Sequence, residues 1–503
     1  MPKRNTSMKQ RNFGRHHRLA VTSMLLLALG LCWTPLSQAQ TASESTGCYV
    51  DGLSERLRCG TILVAEDPKK PEGRQLAIHY AVLPAIKNTA PNEAVLAIAG
   101  GPGQSAIENA ATFDLILSKV RQNRDILLID QRGTGQSNAL ECAALDLEQT
   151  LAYNDEALDV EQETRNCLSK LDADISQYGS EQALHDFEAV RQHLGYQKLH
   201  LYGISYGSRM AQLYMRHYPE ALKTVTLDGI VPMQQSVLAI GAAIGRAQNL
   251  LLSDCEQDAL CAQTYPQLRQ ELNQLAERLG QHAVMKKVPH PVTGDIAMLT
   301  LTRSKLLGSL RMALYSPSVR ALLPYAIHRA AMEEYQPLLG LMALSVDSTG
   351  IAMGMHAAVV CGEDWPRLTA AERQQAEASV IGKEMLSSLD RSCPIWNVPA
   401  AAATFAEPIA SDIPTLLLSG AKDPATPPSW GELAMAQLSN ARHLISPYAT
   451  HGVAAQSCAN ELIAELVKGT APDKLDGECL NKDVRRSFYL NASTVEAIPG
   501  GTK

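Results

Sequence analysis

The sequence predicts an α/β fold, a mostly parallel sheet with helices on both faces, interrupted by an inserted helical cap. Three observations carry this. Short, nearly continuous apolar runs recur at 95–99, 126–129, 199–202, 224–227, 415–418 and 442–446, and runs apolar on both faces suit the buried strands of a parallel sheet. Between two of them, 180–195 carries Leu184, Phe187, Val190 and Leu194 at helical spacing. The strand rhythm then stops after Pro232 and resumes only at Ile413.

The first 39 residues read as a signal peptide. Lys3, Arg4, Lys9, Arg11, Arg15 and Arg18 precede an apolar run from Leu19 to Leu31, and Ser37-Gln38-Ala39 supplies a small-x-small cleavage site after Ala39. The run is short for a membrane span. Without this segment the chain carries 39 Lys and Arg against 52 Asp and Glu, a net charge of −13. Such a surface excludes nucleic acid and anionic lipid as partners, and no stable membrane insertion is expected after cleavage. Export, periplasmic or extracellular, follows from the same segment.

The α/β core then begins at residue 40 and runs to 234. Residues 61–65 and 76–83, separated by the turn-rich DPKKPEG, read as an antiparallel hairpin at the sheet's edge. For the helix at 180–195, Ser180 is placed to cap the start and Gly195 the end. Residues 235–405, rich in Leu, Ala, Met and Gln, form the cap, with a break near Pro289 to Gly294. The core resumes over 406–503.

Eleven cysteines occur, one of them, Cys32, inside the signal segment. The remaining even number in an exported chain points to disulfides. Spacing leaves the connectivity open. Nearest-neighbour pairing joins Cys48 with Cys59, Cys142 with Cys167, Cys255 with Cys261, Cys361 with Cys393, and Cys458 with Cys479. A zinc site is the competing use of cysteine, but no C-x-x-C is present.

The chemistry centres on Ser205, in G-I-S-Y-G between the run at 199–202 and a helix. A serine at such a corner projects its hydroxyl clear of the sheet, and glycines two residues away on either side let neighbouring backbone pass. The hydroxyl is a weak nucleophile and needs a base that is itself oriented by an acid. In chain order after the serine, SGAKDPATPP offers Asp423 and PYATHGV offers His451, both on loops beyond strand ends. Asp228, in TLDGIVP, also ends a strand and is the alternative acid, whereas His290, His356 and His443 are the alternatives to His451. Oxyanion donors are expected at the backbone N–H of Tyr206, next to the serine, and of Gly101 in AGGPGQS after the run at 95–99.

Taken together, AGGPGQS, DQRGTGQS (130–137), GISYG, GAKDPATPP and THG resemble the proline iminopeptidase and tripeptidyl aminopeptidase branch of the α/β-hydrolases. The resemblance spans essentially the whole mature chain. It implies an α/β-hydrolase core with an inserted cap, a C-terminal region like that of the tripeptidyl aminopeptidases, and a serine mechanism with no cofactor and no metal. It also implies peptide substrates, cut from a free N-terminus through an acyl-enzyme, as a tripeptide or a single residue. The same machinery serves small carboxylic esters, the alternative activity. Ala99 stands where proline iminopeptidases carry histidine before Gly-Gly-Pro-Gly, which tilts the resemblance toward the tripeptidyl aminopeptidases.

An aminopeptidase also needs a carboxylate to meet the substrate's ammonium. Glu363 and Asp364, beside Cys361 in VVCGEDWP, are the candidates, and related tripeptidyl aminopeptidase-like chains show a similar Cys-x-acid arrangement. The alternative role for both is to cap the helix that follows.

Overall fold

The computed structural model describes residues 46–142, 145–346 and 350–496. The signal segment lies outside the described residues. Among those described, no helix is long and apolar enough to cross a membrane.

Nine strands form one sheet in the order β1-β2-β3-β5-β4-β6-β7-β10-β11. These are β1 (Thr46–Cys48), β2 (Leu57–Ala65), β3 (Gln75–Leu83), β4 (Glu93–Ile98), β5 (Asp125–Ile129), β6 (Lys198–Ile204), β7 (Leu222–Asp228), β10 (Thr415–Gly420) and β11 (Ala441–Ser446). The first three pair antiparallel, and β3 meets β5 antiparallel. From β5 through β4, β6, β7 and β10 to β11 every pairing is parallel. The expected α/β class is thus what the chain adopts, and the expected hairpin is β2 with β3. The short β1 lies outside that hairpin.

Alternation along the strands explains why both faces must be covered. In β4, Ala94, Leu96 and Ile98 enter a core with Tyr206, Met210 and Leu213 of the helix Tyr206–His217. Val95 and Ala97 enter a second core with Phe113, Leu462 and Leu466 on the other face. Both sets are nearly inaccessible to water, and each buried aliphatic side chain contributes roughly 1.5–3 kcal/mol. Strand polarity then decides where function can sit. All the parallel strands end at one edge, and the loops that leave β4, β6, β7 and β10 emerge together there.

Between β7 and β10 the chain is mainly helical, beginning with Ile240–Gln257 and ending with Val380–Trp396. A two-stranded antiparallel hairpin, β8 (Val284–Pro289) with β9 (Ile296–Leu301), interrupts the helices where the sequence showed only a Pro- and Gly-containing break. Leu251, Leu272, Leu299, Leu306 and Ile327 make a third core. Leu151 and Phe488, from outside 235–405, join it. The cap is therefore not sealed by its own residues alone.

All five nearest-neighbour disulfides are present: Cys48–Cys59, Cys142–Cys167, Cys255–Cys261, Cys361–Cys393 and Cys458–Cys479.

Candidate active site

Ser205 lies between β6 and the helix Tyr206–His217 with φ 56° and ψ −127°, a conformation that costs a non-glycine residue free energy and persists only where the surroundings over-determine it. They do so here. Its N–H donates to the carbonyl of Asp228 at 2.9 Å, and its carbonyl accepts from the N–H of Ser208 at 2.9 Å and from Ser208 Oγ at 2.6 Å. The flanking glycines are sterically required. A Cβ on Gly203 would come within 2.3 Å of the Gly207 carbonyl oxygen, and one on Gly207 within 2.2 Å of the Ile98 carbonyl oxygen. Ser205 itself remains half-buried, open to a substrate.

Asp423 and His451 meet beside it. Nδ1 of His451 lies 2.8 Å from Oδ2 of Asp423. Asp423 is fully buried, and its carboxylate also accepts from the N–H groups of Ala425 at 2.7 Å and Thr426 at 2.9 Å and from Thr426 Oγ1 at 2.8 Å. With four donors on one carboxylate, the charged form is held despite burial. The carboxylate therefore stays below its ordinary range: burial pushes it up, but the His451 charge, its hydrogen bond and the backbone donors outweigh that. An ionised carboxylate only accepts, so Nδ1 of His451 carries the proton and Nε2 is left to take one. The imidazole packs edge-on against Tyr315, with ring centroids 5.1 Å apart.

Ser205 and the imidazole are linked through one short stretch of backbone. Gly229 follows the residue whose carbonyl holds Ser205, and a Cβ there would come within 2.9 Å of Cε1 of His451.

The loop after β4 carries Gly101, with φ 107°, and Gly103, with φ 111°. A Cβ on Gly100 would stand 3.1 Å from Ser205 Cβ, so this loop passes directly over the serine. Asp130, at the end of β5, ties the loop down: its Oδ1 accepts from Ser105 Oγ and from the N–H of Ile107 at 3.1 Å, and its Oδ2 accepts from the N–H of Gln136 at 3.1 Å. This is why AGGPGQS and DQRGTGQS occur together. Tyr206 is the first residue of its helix, where backbone N–H groups have no partner within the helix.

The chain as a sequence is similar to known proteins. The TAP-like protein family matches residues 378–479. Serine protease Hip1 of Mycobacterium tuberculosis is 27% identical over 483 residues, covering 88% of this chain and 89% of its own. Tripeptidyl aminopeptidase of Streptomyces lividans is 23% identical over 212 residues, covering 38% of this chain and 39% of its own. The chain has an α/β-hydrolase fold, and its sequence is similar to serine peptidases. Among solved structures, proline iminopeptidase of Mycobacterium smegmatis aligns with a TM-score of 0.36 at 14% identity, over 81% of this chain and 97% of that one.

Within this site the alternatives left open by sequence separate cleanly. Asp228 does not touch the imidazole. Its oxygens accept from the N–H groups of Val453 at 2.8 Å and Ala454 at 2.9 Å and from Tyr202 O–H at 2.8 Å. His443 bonds Ser419 Oγ at 2.9 Å inside the sheet, and His290 sits in the turn of the β8–β9 hairpin. Of the four candidate histidines only His451 has a carboxylate on its ring. Its pKa is raised: burial lowers it, but Asp423 and, more weakly, Asp228 outweigh that.

Glu363 and Asp364 are placed differently from the expectation that they receive a substrate amine. Asp364 is 2% exposed and faces the buried guanidinium of Arg209 at 3.1 Å and that of Arg367 at 2.7 Å. Arg209 needs that counter-charge, so Asp364 is already committed. Glu363 is 5% exposed, and both its oxygens are taken by Ser180, from the N–H at 2.6 Å and the hydroxyl at 2.8 Å. Neither caps the helix that follows. That helix, Ala370–Glu377, is capped by Thr369 in a capping box with Glu372. Glu363 instead caps the helix Ser180–His193, whose N-cap Gly179 has no side chain for the task.

Sequence reasoning missed the roles that Thr426, Ser208, Ser180 and Asp130 take in the site. The first had a legible signal, since an aspartate commonly accepts from backbone N–H groups two and three residues on. Ser208 bonds Ser205 only three residues away, whereas Ser180 and Asp130 find partners 183 and 25 residues away in the chain.

Proposed function

We propose that this protein is an exported serine exopeptidase that removes short units, a tripeptide or a single residue, from the free N-terminus of peptides. The observation that carries the reading is the buried Asp423 carboxylate 2.8 Å from Nδ1 of His451, beside a serine held at φ 56° on a strand-to-helix corner. In this reading Ser205 Oγ attacks the scissile carbonyl while His451 Nε2 takes its proton, and Asp423 stabilises the imidazolium that forms. The N–H groups of Gly101 and Tyr206 receive the negative oxygen. His451 then protonates the leaving amine, and water, activated by the same imidazole, hydrolyses the acyl-enzyme. No cofactor takes part.

The relatives' names, serine protease and tripeptidyl aminopeptidase, support peptide substrates. Five disulfides support an oxidising compartment, in keeping with the signal-like first 39 residues. The cap, 235–405, is read as the element that limits access to the serine. The experiment is mass-spectrometric profiling of products from a mixed peptide library, run beside acyl-nitrophenyl esters. N-terminal fragments of constant short length are the expected result. Internal cleavage overturns the exopeptidase reading, and turnover of esters alone leaves the esterase.

A further inference from the structure

One segment of the cap touches the carriers of both expected oxyanion donors. It runs from Ile351 through the helix Met353–Val359 into a π-helical turn, Val360–Asp364, and π turns often mark functional positions. At its start it forms a bridge with the Gly101 loop, Ile351 pairing with Gln104. The N–H of Ala352 donates to the Gly103 carbonyl at 3.0 Å, and His356 Nδ1 donates to the Pro102 carbonyl at 3.1 Å. A Cβ on Gly103 would come within 2.9 Å of the Ala352 carbonyl oxygen, so the two backbones are in direct contact.

At its far end the same segment reaches the other donor. Glu363 accepts both protons that Ser180 has to give, from N–H and from Oγ–H. Ser180 Oγ can then only accept from Tyr206 O–H, which lies 2.6 Å away. Gln131 Nε2 donates in turn to the Tyr206 hydroxyl at 3.2 Å. Every hydrogen bond therefore has one direction, from Gln131 through Tyr206 and Ser180 to the carboxylate. The disulfide Cys361–Cys393 fastens the segment two residues before Glu363.

We infer that the segment from Ile351 to Glu363 is the positioning element of the oxyanion hole, with His356 acting on the Gly101 loop and Glu363 acting through Ser180 on Tyr206. The inference rests on the reading of Ser205 as nucleophile. It assigns Glu363 a task other than amine binding. The direction of the chain also depends on charge. A proton on Oε2 of Glu363 faces Ser180 Oγ and donates to it, so the Ser180 hydroxyl proton turns to the Tyr206 oxygen and Tyr206 O–H is freed to turn to Met210 Sδ, 3.2 Å away. The groups facing Glu363 are Arg209 and Tyr206 from the helix after Ser205, Ser180 from its own helix, and Asp364 and Arg367 along the same segment. Burial pushes Glu363 up to about 7, against the Ser180 hydrogen bonds and Arg209.

The test uses the full chain and the variants Glu363→Gln, Ser180→Ala and Tyr206→Phe; the last two delete only a hydroxyl and protect against failure of the first to fold. Each should lower kcat by about ten- to a hundredfold with KM little changed, the scale of a misplaced catalytic group. Affinity for a peptidyl trifluoromethyl ketone, whose adduct places an oxyanion in the hole, should fall by the same factor. Combining Glu363→Gln with Tyr206→Phe should add little to the larger single loss, and Glu363→Gln should remove one ionisation from the acid limb of the kcat profile.

Wild-type kcat in Tyr206→Phe, or additive losses in the double variant, overturns the inference. So does a Glu363→Gln loss confined to peptides with a free amine, which returns that residue to amine binding. If the wild type hydrolyses neither peptides nor esters, the functional reading fails separately. The rate of Ser205 labelling by a fluorophosphonate then decides the inference by the same pattern among variants.

Discussion

Asp228 accepts a hydrogen bond from the backbone N–H of Val453 at 2.8 Å, two residues beyond His451. The carboxylate that competes in sequence for the catalytic role thus holds the backbone of the His451 loop, while Asp423 holds the His451 ring. Two buried aspartates divide one task, and substitutions should separate their parts.

Asp423→Asn should keep the fold and lower kcat by about 10⁴, because an amide can present its N–H to Nδ1 and stabilise the wrong tautomer. Asp228→Ala strips a partner from the N–H groups of Val453 and Ala454 and from the Tyr202 hydroxyl. Each buried group left unsatisfied costs about 1–3 kcal/mol. Urea unfolding should show a loss of several kcal/mol, with kcat of the folded fraction much less affected than in Asp423→Asn. Reversed outcomes would move the acid to the earlier strand.

Ser205→Ala should fold normally and lose about a million-fold in kcat. Ser205→Gly should lose as much and yet be more stable than Ser205→Ala, by about 1 kcal/mol, because glycine tolerates φ 56° without a Cβ penalty. Retention of a tenth of wild-type activity in either variant would remove Ser205 from the reaction.

The pH profile should carry the mark of Asp423. His451 must be neutral to accept a proton, so kcat/KM falls as pH drops through its pKa. That pKa is raised, burial being outweighed by Asp423 and Asp228. In Asp423→Asn the main raising influence is gone and burial remains, so the acid limb of the residual activity should move to lower pH. An unmoved limb would mean that another group controls it.

Arg209 and Asp364 are 2% and 3% exposed at their side chains and pair at 3.1 Å. Asp364→Ala should destabilise by about 3–5 kcal/mol, the cost of an uncompensated buried charge. Arg209→Met combined with Asp364→Leu should recover much of that loss. A mild single effect in thermal unfolding would show that water reaches the guanidinium.

Cys361 and Cys393 are 32 residues apart. Replacing both by serine should cost about 3–4 kcal/mol on the loop-entropy estimate. Peptide mapping without reductant should recover the two cysteine peptides joined, and free thiols at both would contradict the bridge.

The parallel strands were legible because a strand buried on both faces has no place for polar residues, so 95–99, 126–129 and 415–418 declare themselves by local composition alone. The corner serine was legible because its conformation excludes a Cβ at Gly203 and Gly207, a local steric demand. Asp423 and His451 followed from chain order and from strands that all end at one edge. The β8–β9 hairpin was not legible: its strands are half exposed, and Met285, Ile296 and Met298 face solvent where alternation would call for polar residues.

What the sequence by itself determined was therefore the sheet, the corner and the identities of the groups that can do chemistry, since each rests on constraints within a few neighbouring residues. Only the tertiary structure decided how the acids divide their work. Asp228 ends β7 and Asp423 lies just beyond the end of β10, and whether such a carboxylate meets an imidazole or a backbone N–H depends on a loop more than twenty residues away in sequence. Glu363 caps a helix that begins 183 residues earlier. Such a partner is chosen by the packing of the cap on the core, where a buried carboxylate must find donors from whatever element lies against it.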